Sequence, residues 1–129
     1  FTDTTHEKIH IVPVCILKNT QSAPPFLMLK NGIYFDPAST DVHALIYDGV
    51  REILDGYEVD GIHIDDYFYP YPVSGVQIPD QATYRAHSNG IADIKDWRRY
   101  NVNQFIEMLH DSIRAAQPCV KFGVSPLGI

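Results

Sequence analysis

No apolar run in this chain approaches the ~20 residues that a membrane-spanning helix needs, so a transmembrane reading fails. Basic residues are few and scattered: ten Lys and Arg form no stripe, and the formal net charge is −6. A phosphate backbone is held by clustered cations, so this pattern argues against nucleic acid as a partner. Cysteine is scarce too. Cys15 and Cys119 sit in apolar segments without a CxxC spacing, which reads as two buried, unpaired thiols, although a disulfide between them stays open. There is no internal repeat and no low-complexity tract. An initiating Met and a signal peptide are also missing, and the last residues follow a strand-like run, so the expectation is a segment of a larger protein.

What is present is an ordinary globular composition, 45% hydrophobic and 20% charged over 129 residues, enough for one domain. Residues 9–17, "IHIVPVCIL", suit a strand covered on both faces, with Pro13 tolerated at a bulge or an edge. "FLMLKNGIYFDPAS" gives a short apolar piece, an Asn-Gly turn and a short extended stretch. Val42, Leu45, Ile46, Val50, Ile53 and Leu54 then mark one stripe at helical spacing. Ser39 or Thr40 caps that helix, Asp41 complements its dipole, and Gly56 stops it. The period changes to two through residues 59–65, "VDGIHID". A long polar and aromatic connection runs from Tyr67 to about Lys95, with a weak helical turn around 80–87. A second helix has Asp96 as its N-cap, a stripe of Val102, Phe105, Ile106, Leu109 and Ile113, and Pro118 beyond its end. "CVKFGVSP" closes the chain as a third strand near 120–125. Strand, helix, strand, helix, strand implies an α/β architecture with a parallel sheet. Three strands leave two open edges, which fits an incomplete barrel and favours self-association of the isolated segment.

Strand parity sharpens the reading, because side chains on a strand alternate faces. Ile62 and Ile64 share one face, for the helix layer, and Gly61, His63 and Asp65 share the other. The last strand repeats the pattern, with Val120, Phe122 and Val124 opposite Lys121, Gly123 and Ser125. A face needing only to pack would not carry His, Asp and Lys, each of which needs a partner when buried. Asp65 also ends its strand, at the edge where parallel α/β folds gather ligand sites. Asp66 has the opposite parity and turns back toward loop amides, or acts as a second carboxylate. The aromatic run from Tyr67, including Tyr69, offers rings to a sugar or packs as a lid. Trp97, Arg98 and Arg99 begin a helix, for surface packing and charge or, with Asn101, to reach the same mouth, and Lys121 and His63 orient Asp65 or bind hydroxyls.

Four ordered blocks, "YFDPASTDVHALI", "VDGIHIDDYFYPYP", "DWRRYNVNQFIEMLHDSI" and "VKFGVSPLGI", resemble the bacterial glycosyl hydrolase-like 10 family, once catalogued as DUF187. That resemblance implies a glycosidase-type (β/α)8 TIM barrel, of which residues 1–129 form a part, incomplete at both ends. It implies a glycoside hydrolase acting on a bacterial or dietary glycan, without cofactor or metal, in an exported bacterial protein. A looser similarity to the chitinase signature fails at its last position. There His63 stands for an Asp, Asp65 matches an Asp, and Tyr67 replaces the acid, so that mechanism is not carried over. Glycosidases commonly use two carboxylates, roughly 5–5.5 Å apart when retaining and about 6.5–9.5 Å when inverting. Asp65 is the candidate for one. No glutamate is well placed for the other: Glu52 and Glu107 fall on helices, Glu58 precedes the strand, and Glu7 lies in the lead-in. The second carboxylate is therefore expected outside this chain. Two other readings stay open: a barrel that binds glycans without turnover, and a metal-dependent hydrolase using His63, Asp65 and Asp66 or His10.

Overall fold

The computed structural model describes residues 26–29, 32–65, 69–70 and 73–125. The expected strand at 9–17 and Cys15 lie outside them, as do Asn31 of the expected turn and Asp66 and Tyr67 of the candidate site.

β1 (Phe26–Leu29) and β2 (Gly32–Phe35) pair antiparallel, with Phe26 opposite Phe35 and Leu29 opposite Gly32. Only Leu27 of this hairpin is buried, while Met28 and Ile33, opposite one another, are both about two-thirds exposed at 66% and 67%. The chain then turns at Asp36-Pro37 into α1 (Thr40–Gly56). Ser39 is its N-cap, with extended backbone and a hydroxyl that accepts from the Val42 N–H at 3.5 Å. At the other end Gly56 is the last helical residue, and the Tyr57 N–H closes on the Ile53 carbonyl.

β3 (Gly61–Asp65) and β4 (Lys121–Ser125) pair in parallel, residue for residue from Gly61–Lys121 to Asp65–Ser125. Between them run α2 (Gln81–His87) and α3 (Ile94–Ala116), so β3, α3 and β4 make a βαβ unit. The molecule is thus a mixed α/β structure with a parallel strand pair. α3 starts earlier than its sequence suggests. Asp93, not Asp96, is the N-cap: its Oδ1 accepts from the N–H groups of Lys95 (2.7 Å) and Asp96 (3.3 Å), which holds its carboxyl below the usual range. Asp96 is left in the first turn, where it pairs with Arg99.

Trp97, Asn101, Phe105, Leu109 and Ile113 are buried, each four residues on from the last, forming the ridge of α3 that faces inward. Phe105, Leu109 and Ile113 meet Val50 and Leu54 of α1 and Ile62 of β3 in one core. Ile64, Val120 and Phe122 pack against its margin. Each such side chain contributes about 1.5–3 kcal/mol when fully buried, and this seam fixes which face of β3 turns inward. Cys119 is exposed with a free thiol, contrary to the expectation of a buried one. The Pro118–Val120 turn carries it out past the end of α3, away from the core. Among the described residues no helix is long and apolar enough to cross a membrane.

Candidate functional site

The helix-facing side of β3 is apolar, and its other side is open. Ile62 is 6% exposed, while Gly61, His63 and Asp65 all stand exposed between the core residues. Parity and the core seam together produce this arrangement: because Ile62 and Ile64 are drawn to the helices, His63 and Asp65 have to face away. Asp65 ends the strand, with Ser125 opposite it on β4. Two pairs earlier, His63 faces Gly123, and its Nε2 lies 2.8 Å from the Ser125 hydroxyl. Lys121 is on the same face but pairs with Gly61, at the start of the strand. Four residues at ~3.3 Å each separate it from the level of Asp65 by roughly 13 Å. Lys121 therefore does not orient Asp65. The residue also borders a groove of about 280 Å³ with His110, Arg114, Cys119 and Phe122.

α3 returns the chain between the parallel β3 and β4 and so runs against them, which puts its first turn toward the end of the sheet where Asp65 sits. The first turn of α1 is tied to the same region by the Asp36–Thr83 bond. A second group of polar side chains gathers at those turns, and it is buried. Asp80 is fully buried and receives two bonds from Arg98, Nε to Oδ2 at 2.6 Å and Nη2 to Oδ1 at 2.7 Å. Such a forked pair is among the stronger charge-assisted contacts. The Arg98 guanidinium also lies over the Tyr69 ring, 5.7 Å from its centre. Asn101, 8% exposed, donates from Nδ2 to the Tyr69 hydroxyl at 3.1 Å. Burial pushes the Tyr69 phenol well up, so it keeps its proton.

Asp36 completes the group from the α1 side. It is 2% exposed, with Oδ1 accepting from the Ala38 N–H (2.9 Å) and Oδ2 from the Thr83 hydroxyl (3.2 Å). Burial raises its carboxyl above the usual range, against those two bonds and with the help of the nearby Asp80 charge. The long connection is thus tied down at Tyr69, Asp80 and Thr83 to the starts of α1 and α3. Two further bonds hold its second half. Trp97 donates from Nε1 to the His87 carbonyl at 2.8 Å, and the Tyr84 hydroxyl lies within reach of the carbonyls of Ile91 and Ala92.

The sequence candidates consequently divide. His63 and Asp65 share the open face. Tyr69, Arg98 and Asn101 come together in the buried group, with the Arg98 and Asn101 donors already engaged by Asp80 and Tyr69. Trp97 is fully buried with its ring against Tyr84, so it offers no face to a ligand. Sequence reading missed Asp36, Thr83 and Asp80. Their partners lie 47 and 18 residues away, and only the acid-before-a-helix pattern of "FDPAST" and "PDQAT" hinted at fixed positions. Among the described residues no group of three or more His, Cys, Asp or Glu is placed to hold a metal ion. His6, Glu7 and His10 do fall in H-E-x-x-H order, a zinc spacing when both histidines share a helix face. That stretch lies outside the described residues.

These features meet in a family. The model of the glycosyl hydrolase-like 10 family matches residues 15–129, and the chain belongs to that family. It is 42% identical over 100 residues to "Glycosyl hydrolase YngK" of Bacillus subtilis (strain 168), an alignment covering 77% of this chain and 20% of that protein. With "Glycosyl hydrolase DigH" of Escherichia coli (strain K12) it is 39% identical over 94 residues, 73% of this chain and 21% of that one. The chain therefore spans about a fifth of the length of the curated relatives it matches.

Proposed function

We propose that this chain forms part of a (β/α)8 barrel that hydrolyses O-glycosidic bonds of a glycan, with the open face of β3 and β4 as part of the sugar site. Family membership supports the reaction class. The observation that carries the site is the position of Asp65, exposed at the end of β3 on the face opposite the core. Asp65 acts as one carboxylate of the pair, as acid, base or nucleophile, and the second comes from a strand outside this chain. His63 binds a sugar hydroxyl beside it. Tyr69, four residues on, is held by Asn101 and Arg98 at the rim, where its ring can meet the C–H face of a sugar. Arg98 and Asn101 serve the site through Tyr69. By itself the segment is expected to have no turnover and to self-associate through its strand edges.

The test is release of reducing ends from bacterial and dietary glycans by the full-length protein, compared with its Asp65→Asn variant. Loss of a positioned acid or base is expected to cost a factor on the order of 10²–10⁴ in kcat. Full activity in the variant would remove Asp65 from the mechanism. Tight glycan binding with no turnover by the wild type would favour a binding barrel instead.

A further inference from the structure

Of the polar groups on the open face, His63 is the one with a built seat. Its imidazole lies across β4, with Nε2 at 2.8 Å from the Ser125 hydroxyl. The residue beneath it is Gly123, its partner in the register. A Cβ at position 123 would sit only 2.8 Å from His63 Nδ1. No side chain fits there while the ring stays where it is. The glycine is needed for this approach and not for its backbone conformation, since position 123 lies in an ordinary strand. Ser125 in turn faces Asp65 directly. Three adjoining positions thus cooperate: a glycine that makes room, a hydroxyl that receives the ring, and a carboxylate on the same rung as that hydroxyl.

We infer that Ser125 is a positioning residue for His63, and Gly123 its necessary seat. The Ser125 hydroxyl fixes the rotamer of the imidazole. His63 is thereby held two residue pairs below Asp65, on the same face, as an oriented partner for a hydroxyl of the sugar bound against that carboxylate. An imidazole free to rotate presents either nitrogen at either of several places; one tied through Nε2 presents a single edge. This role rests on the reading of Asp65 as substrate-facing, but the His63–Ser125 contact does not depend on it.

The experiment uses the full-length protein with ¹⁵N-labelled histidine imidazoles, as wild type, Ser125→Ala, Ser125→Thr and Gly123→Ala. In Ser125→Ala the His63 ring signals are expected to shift as Nε2 loses its hydroxyl partner. Loss of one hydrogen bond's worth of positioning lowers kcat/KM for glycan about three- to tenfold. Ser125→Thr, which keeps the hydroxyl, restores both readouts. Gly123→Ala displaces the ring and reproduces the Ser125→Ala result at unchanged thermal stability. Unchanged His63 signals in Ser125→Ala would overturn the contact itself. Shifted signals with wild-type kcat/KM would overturn the positioning role. Asp65→Asn, run alongside, reports separately on the catalytic reading, and the imidazole signals decide the contact whichever way that control falls.

Discussion

Two polar regions lie near the same end of this molecule, and they are built in opposite ways. On the open face of β3 and β4, His63 and Asp65 are exposed, and a side-chain hydrogen bond, His63 to Ser125, crosses between the strands. In the buried group Asp36, Asp80 and Asn101 are nearly or fully removed from solvent, and each is matched by a donor or acceptor from a distant segment. Burying a charge is costly unless it is paired and bonded, so the second region can exist only as a satisfied network. Its groups are consumed by one another. The first region keeps its capacity for a ligand because strand parity, not mutual bonding, put it there. Richness in charged residues is therefore a poor guide to the site, and unspent hydrogen-bonding capacity is a better one.

The difference can be broken from the buried side first, where the largest effect is expected. Arg98→Ala leaves the Asp80 carboxylate buried without its cation and is expected to destabilise the fold by about 3–5 kcal/mol, measured by urea unfolding. A cost below about 1 kcal/mol would mean that the pair behaves like a surface contact. Tyr69→Phe deprives the Asn101 amide of its acceptor and should cost about 1–3 kcal/mol. In a full-length protein that still folds, it should also raise KM for glycan more than it lowers kcat, because the ring stays but loses the bond that holds it in place.

A smaller effect comes from pH. The Asp36 carboxyl is raised by burial, so the folded state holds its proton more tightly than the unfolded chain, whose value is near 3.8. The stability linked to that proton is fully present below the unfolded value and is lost as pH rises through the folded one. Asp36→Asn keeps an acceptor for the Ala38 N–H and carries no charge at any pH. Its stability relative to wild type is therefore expected to improve as the medium goes from pH 3 to pH 7. Thermal midpoints across that range check it, and a variant that instead lost ground at neutral pH would show Asp36 to be stabilised as an anion.

Much of this was legible in the chain, and the boundary is physical. Period-two alternation through "GIHID" and "KFGVS" assigned both faces of the strand pair, because side-chain direction on a strand is a local property. The α3 ridge from Phe105 to Ile113 was legible for the same reason, at a period of four. The start of α3 was less so: Asp93 and Asp96 are both good caps, and only the backbone shows which carboxylate reaches the free N–H groups. Arg98 and Trp97 were read as ligand-facing because residue type alone cannot reveal a partner 18 residues away or a neighbour such as Tyr84. Parity gave the face of Lys121 but not its height along the strand, which the register sets opposite Gly61. The antiparallel register of β1 and β2 needs pairing across the chain and was visible only as a turn signal.

The proposed function puts the chemistry on the open face and leaves the buried carboxylates, Asp36 and Asp80, only to hold the connection in place. Turnover per folded molecule in the full-length protein, for Asp65→Asn and Asp80→Asn side by side, tests that claim most directly. Asp65→Asn is expected to lose on the order of 10²–10⁴ in turnover at an unchanged thermal midpoint. Asp80→Asn is expected to lower the midpoint yet leave turnover per folded molecule within about threefold of wild type, a difference under 1 kcal/mol in the barrier. Full turnover in Asp65→Asn, with a collapse in folded Asp80→Asn, would contradict the account and move the chemistry to the buried carboxylates.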